Sequence, residues 1–279
     1  GYIPADMEYE LQMAHMNKEL NDILADEETI LSSQDSEQGE LTLLFDFGGT
    51  LDTAGCHWGR FLWYAYKRNE IHVSEEQFRE AYVHAERTLG KLPIIQSHDT
   101  FLSMLTNKLR IEFEYLLSCG WLAVDRVEAD RMQRVLLNDI YERVKANISD
   151  SKSVLTGLKK KHRMGLVTNF YGNMSVVLDE FDLSSLFETV TESAVVGVRK
   201  PDPLIFSLAV KSLNVKADEV VVIGDSYTKD ILPSHEIGCK TVWLKGEGWT
   251  IEEPTSCVAD YVIKDLRELQ PILRQYTPL

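Results

Sequence analysis

The first residue in this chain placed for chemistry is an aspartate that ends an apolar run and is followed, one residue on, by a glycine pair. The stretch is Leu41–Asp52, LTLLFDFGGTLD, and the residue is Asp46. A buried parallel strand delivers such a carboxylate to the C-terminal edge of a sheet, where α/β proteins hold their ligands. Taken alone, the pattern also fits a plain strand-to-turn junction, because Asp starts turns readily. Three more signals follow, each at or just after an apolar run: VTN at Val167–Asn169, GVRKPDPLIF at Gly197–Phe206 and VVVIGDSYTKD at Val220–Asp230. Together they offer carboxylates, a lysine and a hydroxyl, a set suited to work on an anionic group with a divalent cation.

These four signals, in this order, resemble the haloacid dehalogenase superfamily, whose members mostly hydrolyse phosphate esters through an aspartyl-phosphate. The resemblance covers Leu41–Thr53 and about Ser151–Leu279, only loosely the segment between, and not the first forty residues. It implies that Asp46 is the nucleophile, that Asp225 is a metal ligand, and that Asp230 braces the metal site. The backbone carbonyl of Gly48 is also expected on the metal, and an all-oxygen set suits Mg²⁺ rather than zinc. Lys200 is expected to neutralise the phosphoryl oxygens and the nucleophile. Thr168 is expected to bind a phosphoryl oxygen, with Asn169 beside it in the substrate loop, while Arg199 is expected in solvent.

One position departs from the pattern. Phosphatases of the superfamily usually read Asp-x-Asp-x-Thr in the first motif, the second Asp serving as general acid and base, and here that position is Gly48. Asp52 and His57 are nearby substitutes, His57 having an unperturbed pKa of about 6.5. Thr50 reads as a turn hydroxyl holding the Asp46 loop, and Trp58 as an aromatic facing either the core or the substrate. The leading expectation is a Mg²⁺-dependent phosphohydrolase acting on a small phosphorylated metabolite. A second is a catalytically weak or inactive module that binds a phosphometabolite or a protein. A third is phosphonatase- or dehalogenase-like hydrolysis, the former requiring a Schiff-base lysine such as Lys91.

Composition narrows the partners. Lys and Arg number 29 against 44 Asp and Glu in 279 residues, a formal charge of −15, which argues against binding nucleic acid or an anionic membrane. No apolar run is long enough to cross a bilayer, and no charged-then-apolar leader opens the chain. Cys56, Cys119, Cys239 and Cys257 stand apart with no CxxC pairing. Reduced thiols in a cytoplasmic protein are therefore expected.

The elements that must position these residues follow from periodicity. From Ser151 onward, short β-rich runs alternate with helices, which predicts strands at Met164–Phe170, Thr189–Val196, Val220–Asp225, Lys240–Leu244 and Tyr261–Ile263. Helices are expected near Ser151–His162, Asn173–Phe181, Pro203–Leu213, Lys229–Gly238 and Leu266–Gln275. With Leu41–Phe47 as first strand, the fold class is α/β, a doubly wound Rossmann-like parallel sheet. Residues 54–150 read as an inserted all-helical cap, with helix starts at Ser74 and Asp99. Residues 41–53 and 151–279 form the core. Residues 1–40 read as an amphipathic helix over Met7–Leu24, a candidate protein contact, followed by an acidic linker.

Overall fold

The computed structural model describes residues 40–250 and 253–276. The expected N-terminal helix and linker, apart from Glu40, lie outside the described residues. Six strands form one parallel sheet: β1 (Thr42–Phe45), β2 (Met164–Thr168), β3 (Thr189–Glu192), β4 (Val220–Gly224), β5 (Lys240–Leu244) and β6 (Tyr261–Ile263). Their order is β3-β2-β1-β4-β5-β6. β1 lies between β2 (Leu43 opposite Met164) and β4 (Leu43 opposite Val221). The chain therefore winds outward in both directions from the β1–β4 junction, and the crevice of such a sheet opens at that switch point.

Covering on both faces explains why β1 and β4 read as unbroken apolar runs. Leu43, Phe45, Val221 and Ile223 point into the larger core, whereas Leu44, Val220 and Val222 pack with Ile205, Phe206 and Ala209 on the other face.

Four helices are inserted between β1 and β2: α1 (Trp58–Arg68), α2 (Glu75–Lys91), α3 (Phe101–Ser118) and α4 (Arg126–Lys159). In α2 the buried residues Phe78, Ala81, Tyr82, Ala85 and Leu89 recur at three- and four-residue spacing, the stripe that packs one helix on another. Ser74 and Gln77 form the capping box at its start. At α3 the cap is Thr100, whose hydroxyl accepts from Ser103 N at 3.0 Å, and Asp99 instead closes the preceding turn on Gln96 N. α4 is 34 residues long and runs through Ser151 without a break. Two helices expected on either side of residue 150 are thus one, because no Gly or Pro interrupts the polar run there and the buried stripe Ile140, Val144, Ile148, Ser151, Leu155 continues across it.

The remaining helices are α5 (Met174–Glu180), α6 (Ser193–Val196), α7 (Leu204–Ser212), α8 (Leu232–Glu236) and α9 (Leu269–Arg274). β3 stops at Glu192, short of the expected Val196. The Ser193 hydroxyl accepts from Phe170 N at 3.0 Å and donates to Phe170 O at 3.2 Å, so tertiary hydrogen bonds turn the chain out of the sheet despite its β-branched residues. The helix expected from Lys229 begins two residues earlier, as a wide π-type turn at Tyr227–Ile231 ahead of α8.

Candidate active site

Two strands set the centre of the site. Asp46 follows β1 and Asp225 follows β4, so parallel pairing brings side by side two carboxylates that are 179 residues apart in sequence, 225 minus 46. The turn after Asp46 fits because Gly49 adopts φ +90°, and a side chain built there would meet Asp225 Oδ2 at 2.4 Å. At Gly224 a side chain would run into Asp230 at the same distance. Both glycines let the backbone approach a carboxylate of the cluster.

Lys200 bridges that cluster. Its ammonium, buried with the side chain 3% exposed, donates to Asp46 Oδ1 at 2.8 Å and to Asp230 Oδ1 at 2.7 Å. A third donor is left for a ligand. Asp230 Oδ2 accepts from Ser226 N at 3.1 Å, so both oxygens of Asp230 hold neighbours in place. Thr50 ties the two strand ends together: its hydroxyl lies 3.1 Å from Asp46 Oδ2 and 3.0 Å from Asp225 Oδ1, and accepts from Asp225 N at 3.0 Å. With one proton, that hydroxyl serves one carboxylate at a time.

Thr168 ends β2 and is buried. No hydrogen bond engages its hydroxyl among the described residues. Asn169 next to it clasps Lys200, accepting from Lys200 N at 2.8 Å and donating to Lys200 O at 3.1 Å. Both amide heavy atoms of Asn169 are thus engaged with the backbone of Lys200. Arg199 is exposed, as expected, and Lys91 ends α2 in solvent, among the exposed residues.

The two substitute acids have structural work. Asp52 accepts from Gly49 N at 2.7 Å and from Trp58 Nε1 at 3.0 Å, which locks the turn after Asp46 to α1. Burial first, with the Asp46 charge adding to it, pushes its pKa up to about 7. His57 caps α1, its Nδ1 accepting from Gly59 N at 3.0 Å, while its ring stacks on Trp249 at 5.2 Å. Burial, then the charge of Lys229, lowers its pKa to about 4. A neutral imidazole spent on a cap is not the protonated acid that its sequence position suggested.

Further braces carry no sequence signal. Asn147 and Ser151 on α4 donate to the backbone carbonyls of Asp52 and Leu51, and Glu192 accepts from Gly172 N at 2.6 Å to hold the loop after Thr168.

Charge crowding defines what the centre can hold. Asp46, Asp225 and Asp230 each offer a carboxylate oxygen, all within 4.8 Å of one another. Burial, then Asp46 and Asp230, raises Asp225 well above the ordinary carboxylate range. Burial and Asp46 raise Asp230 to about 6, against the pull of Lys200. Burial works against the charge of Lys200, yet Asp230 and Asp46 outweigh it and hold it protonated. Such a set of hard oxygen donors, crowded beyond what one ammonium offsets, fits a small divalent cation.

Residues 43–244 match the family of haloacid dehalogenase-like hydrolases. The chain is 35% identical over 133 residues to a glyceraldehyde 3-phosphate phosphatase of Pyrococcus furiosus, covering 46% of this chain and 55% of that protein. It is 26% identical over 156 residues to the pyrimidine 5'-nucleotidase YjjG of Escherichia coli, covering 55% of this chain and 68% of the other. The chain thus spans about half the length of the phosphatases it matches. Among solved structures, a dehalogenase superposes with a TM-score of 0.58 at 16% identity, covering 85% of this chain and 98% of that one. The magnesium-bound HAD-hydrolase YfnB of Bacillus subtilis superposes with a TM-score of 0.52 at 20% identity, covering 85% and 99%. These likenesses agree on the doubly wound sheet. With the family match spanning most of the described residues and the acidic centre at the switch point, the chain belongs to the haloacid dehalogenase-like hydrolase family.

Proposed function

We propose that this chain is a Mg²⁺-dependent phosphohydrolase of small phosphorylated metabolites, working through an aspartyl-phosphate at Asp46. The observation that carries the reading is the buried Lys200 ammonium bridging Asp46 and Asp230, with Asp225 alongside. Asp46, Asp225, Asp230 and the Gly48 carbonyl are the groups that would hold the metal, Asp230 chiefly by bracing Lys200. Bound there, Mg²⁺ supplies positive charge that offsets repulsion between an anionic nucleophile and a phosphate.

The rest of the work falls to the chain. Lys200 holds the Asp46 carboxylate in place and turns its remaining N–H toward a phosphoryl oxygen, and the open Thr168 hydroxyl offers a second donor. An Asp46 carboxylate oxygen attacks phosphorus, the bond to the leaving oxygen breaks, and water then cleaves the acyl phosphate, returning Asp46 and inorganic phosphate. The inserted helices serve as a cap that encloses the substrate. Because Gly48 brings no carboxyl to protonate the leaving group, acyl and aryl phosphates should react best.

The test is a screen of acetyl phosphate, aryl phosphates and phosphorylated metabolites with and without Mg²⁺, on the natural chain and on Asp46→Asn. Turnover that needs Mg²⁺ and vanishes in the near-isosteric variant is expected. Persistent turnover in Asp46→Asn would overturn the covalent route. Gly48 also favours a second reading, a binding module without turnover, which would show Mg²⁺-dependent binding of the same compounds and release no phosphate.

A further inference from the structure

The inserted helices carry a second buried lysine that the proposed chemistry does not use. Lys108 on α3 is only 7% exposed, and its Nζ lies 2.8 Å from Glu86 Oε1 on α2 and 5.3 Å from the centre of the Trp58 ring. Glu86 is the one carboxylate in ion-pair contact with that ammonium among the described residues. A buried ammonium has three donors to satisfy, and leaving them idle is costly.

Its surroundings place it at the site. Trp58, beneath the ammonium, donates to Asp52, whose other oxygen holds Gly49 against Asp225. Tyr171, three residues beyond Thr168, also feels this charge. Its phenol is raised first by burial, and the next charges it feels are those of Lys108, Glu86 and Arg199, the neighbour of Lys200. His57 feels Lys229, the neighbour of Asp230, together with Glu86 and Lys108. Lys108 therefore sits over Trp58, within electrostatic reach of the loop after Thr168 and of His57.

We propose that Lys108 binds a carboxylate on the organic part of the substrate, making this a specificity residue for phosphorylated carboxylic acids. The inference rests on the phosphohydrolase reading above. One ammonium partly offset by Glu86 matches a singly charged carboxylate better than a second phosphate dianion. Glu86, on the more exposed side of the pair, holds the ammonium until the substrate carboxylate takes it up.

The test is binding, so that it does not depend on turnover. Dissociation constants with Mg²⁺ would be measured by calorimetry for ω-phosphonocarboxylates of two to four carbons and for the matching primary amides. The natural chain should prefer at least one acid over its amide by about 10–100-fold, the range of a hydrogen bond to a charged partner. Lys108→Met should collapse that ratio toward one, Lys108→Arg should keep most of it, and Glu86→Gln should raise it by freeing the ammonium. Should Lys108→Met fail to fold, Glu86→Gln still decides the matter through the direction of its change. Equal binding of acids and amides, or a preference that survives Lys108→Met, overturns the role of Lys108 and leaves the phosphohydrolase reading standing. If no phosphonate binds while acetyl phosphate is hydrolysed, only the Lys108 proposal falls; if neither happens, both fall.

Discussion

Gly48 has open space where a side chain would begin: a Cβ built there meets nothing within 4 Å, and the left-handed turn lies one residue later, at Gly49. The backbone there therefore has room for a side chain to begin. General acid–base catalysis is worth roughly 10²–10⁴-fold, so the natural chain should be slow on alkyl phosphates and show a steep dependence of rate on leaving-group pKa. Gly48→Asp should flatten that dependence, measured across a series of alkyl and aryl phosphates with melting curves as the folding control. A shallow dependence in the natural chain would mean that another acid already acts. His57 is a poor candidate, since its ring nitrogen caps α1 and its pKa is lowered to about 4. At the metal end, Asp225→Ala removes a formal charge from the cluster and should weaken Mg²⁺ binding at least tenfold by calorimetry. An unchanged affinity would remove Asp225 from the ligand set.

At the level of elements, the site is held by turns whose ends are tied down from neighbouring helices and strands. Glu192, the last residue of β3, accepts from Gly172 N and also faces Met174 N at 3.3 Å, filling the place of a cap for α5 although it lies outside that helix. It is buried, and burial raises its pKa while those N–H groups pull it down. Glu192→Ala should cost about 1–3 kcal/mol, the penalty for leaving buried donors unpaired, and should loosen the loop that carries Thr168. Chemical denaturation would read the cost, and Glu192→Gln should recover part of it. A variant as stable as the natural chain would show that the loop holds itself. α4 works in the same way from the other side, with Asn147 and Ser151 donating to the turn after Asp46.

Over the whole molecule, several buried carboxyls shift in the same sense. Asp52 is pushed up to about 7 and Glu112 to about 8, and Asp225 and Asp230 are also raised. Each binds its proton more tightly when folded than when unfolded, so its contribution to stability is present at low pH and is lost as pH rises toward the folded value. Without metal, the stability these four carboxyls contribute should fall between about pH 4 and pH 8, and Mg²⁺ should offset the share due to the Asp225 cluster. Glu112 isolates the share of the inserted helices. Burial raises it, while the Tyr66 hydroxyl, donating at 2.8 Å, and the Lys108 charge pull it down. Glu112→Gln mimics the protonated form and should make the variant more stable than the natural chain above pH 8, by a few kcal/mol at about 1.4 kcal/mol per tenfold in proton affinity. Melting curves at pH 5, 7 and 9 test this. Parallel pH profiles for the two proteins would sink it.

Local sequence determined the strands and the residues at their ends. Buried parallel strands demand apolar runs, and a carboxylate just past such a run has to emerge at the sheet's edge, which is why Asp46, Asp225 and the Lys200 segment were legible, as were β5, β6 and the capping box at Ser74. Periodicity likewise marked the inserted helices. What it did not determine were relations across the fold. The single long helix through Ser151 depends on a continuous buried stripe, and the early end of β3 on hydrogen bonds between Ser193 and Phe170. The pairing of Asn169 with the backbone of Lys200, 31 residues away, likewise arises only in the fold. His57 looked like an acid because of its unperturbed pKa, and burial with a cap hydrogen bond removed that option. Lys108 and Glu86 carried no signal at all, because a charged residue on an amphipathic helix normally faces solvent, and only the packing of α2 against α3 over Trp58 turns it inward.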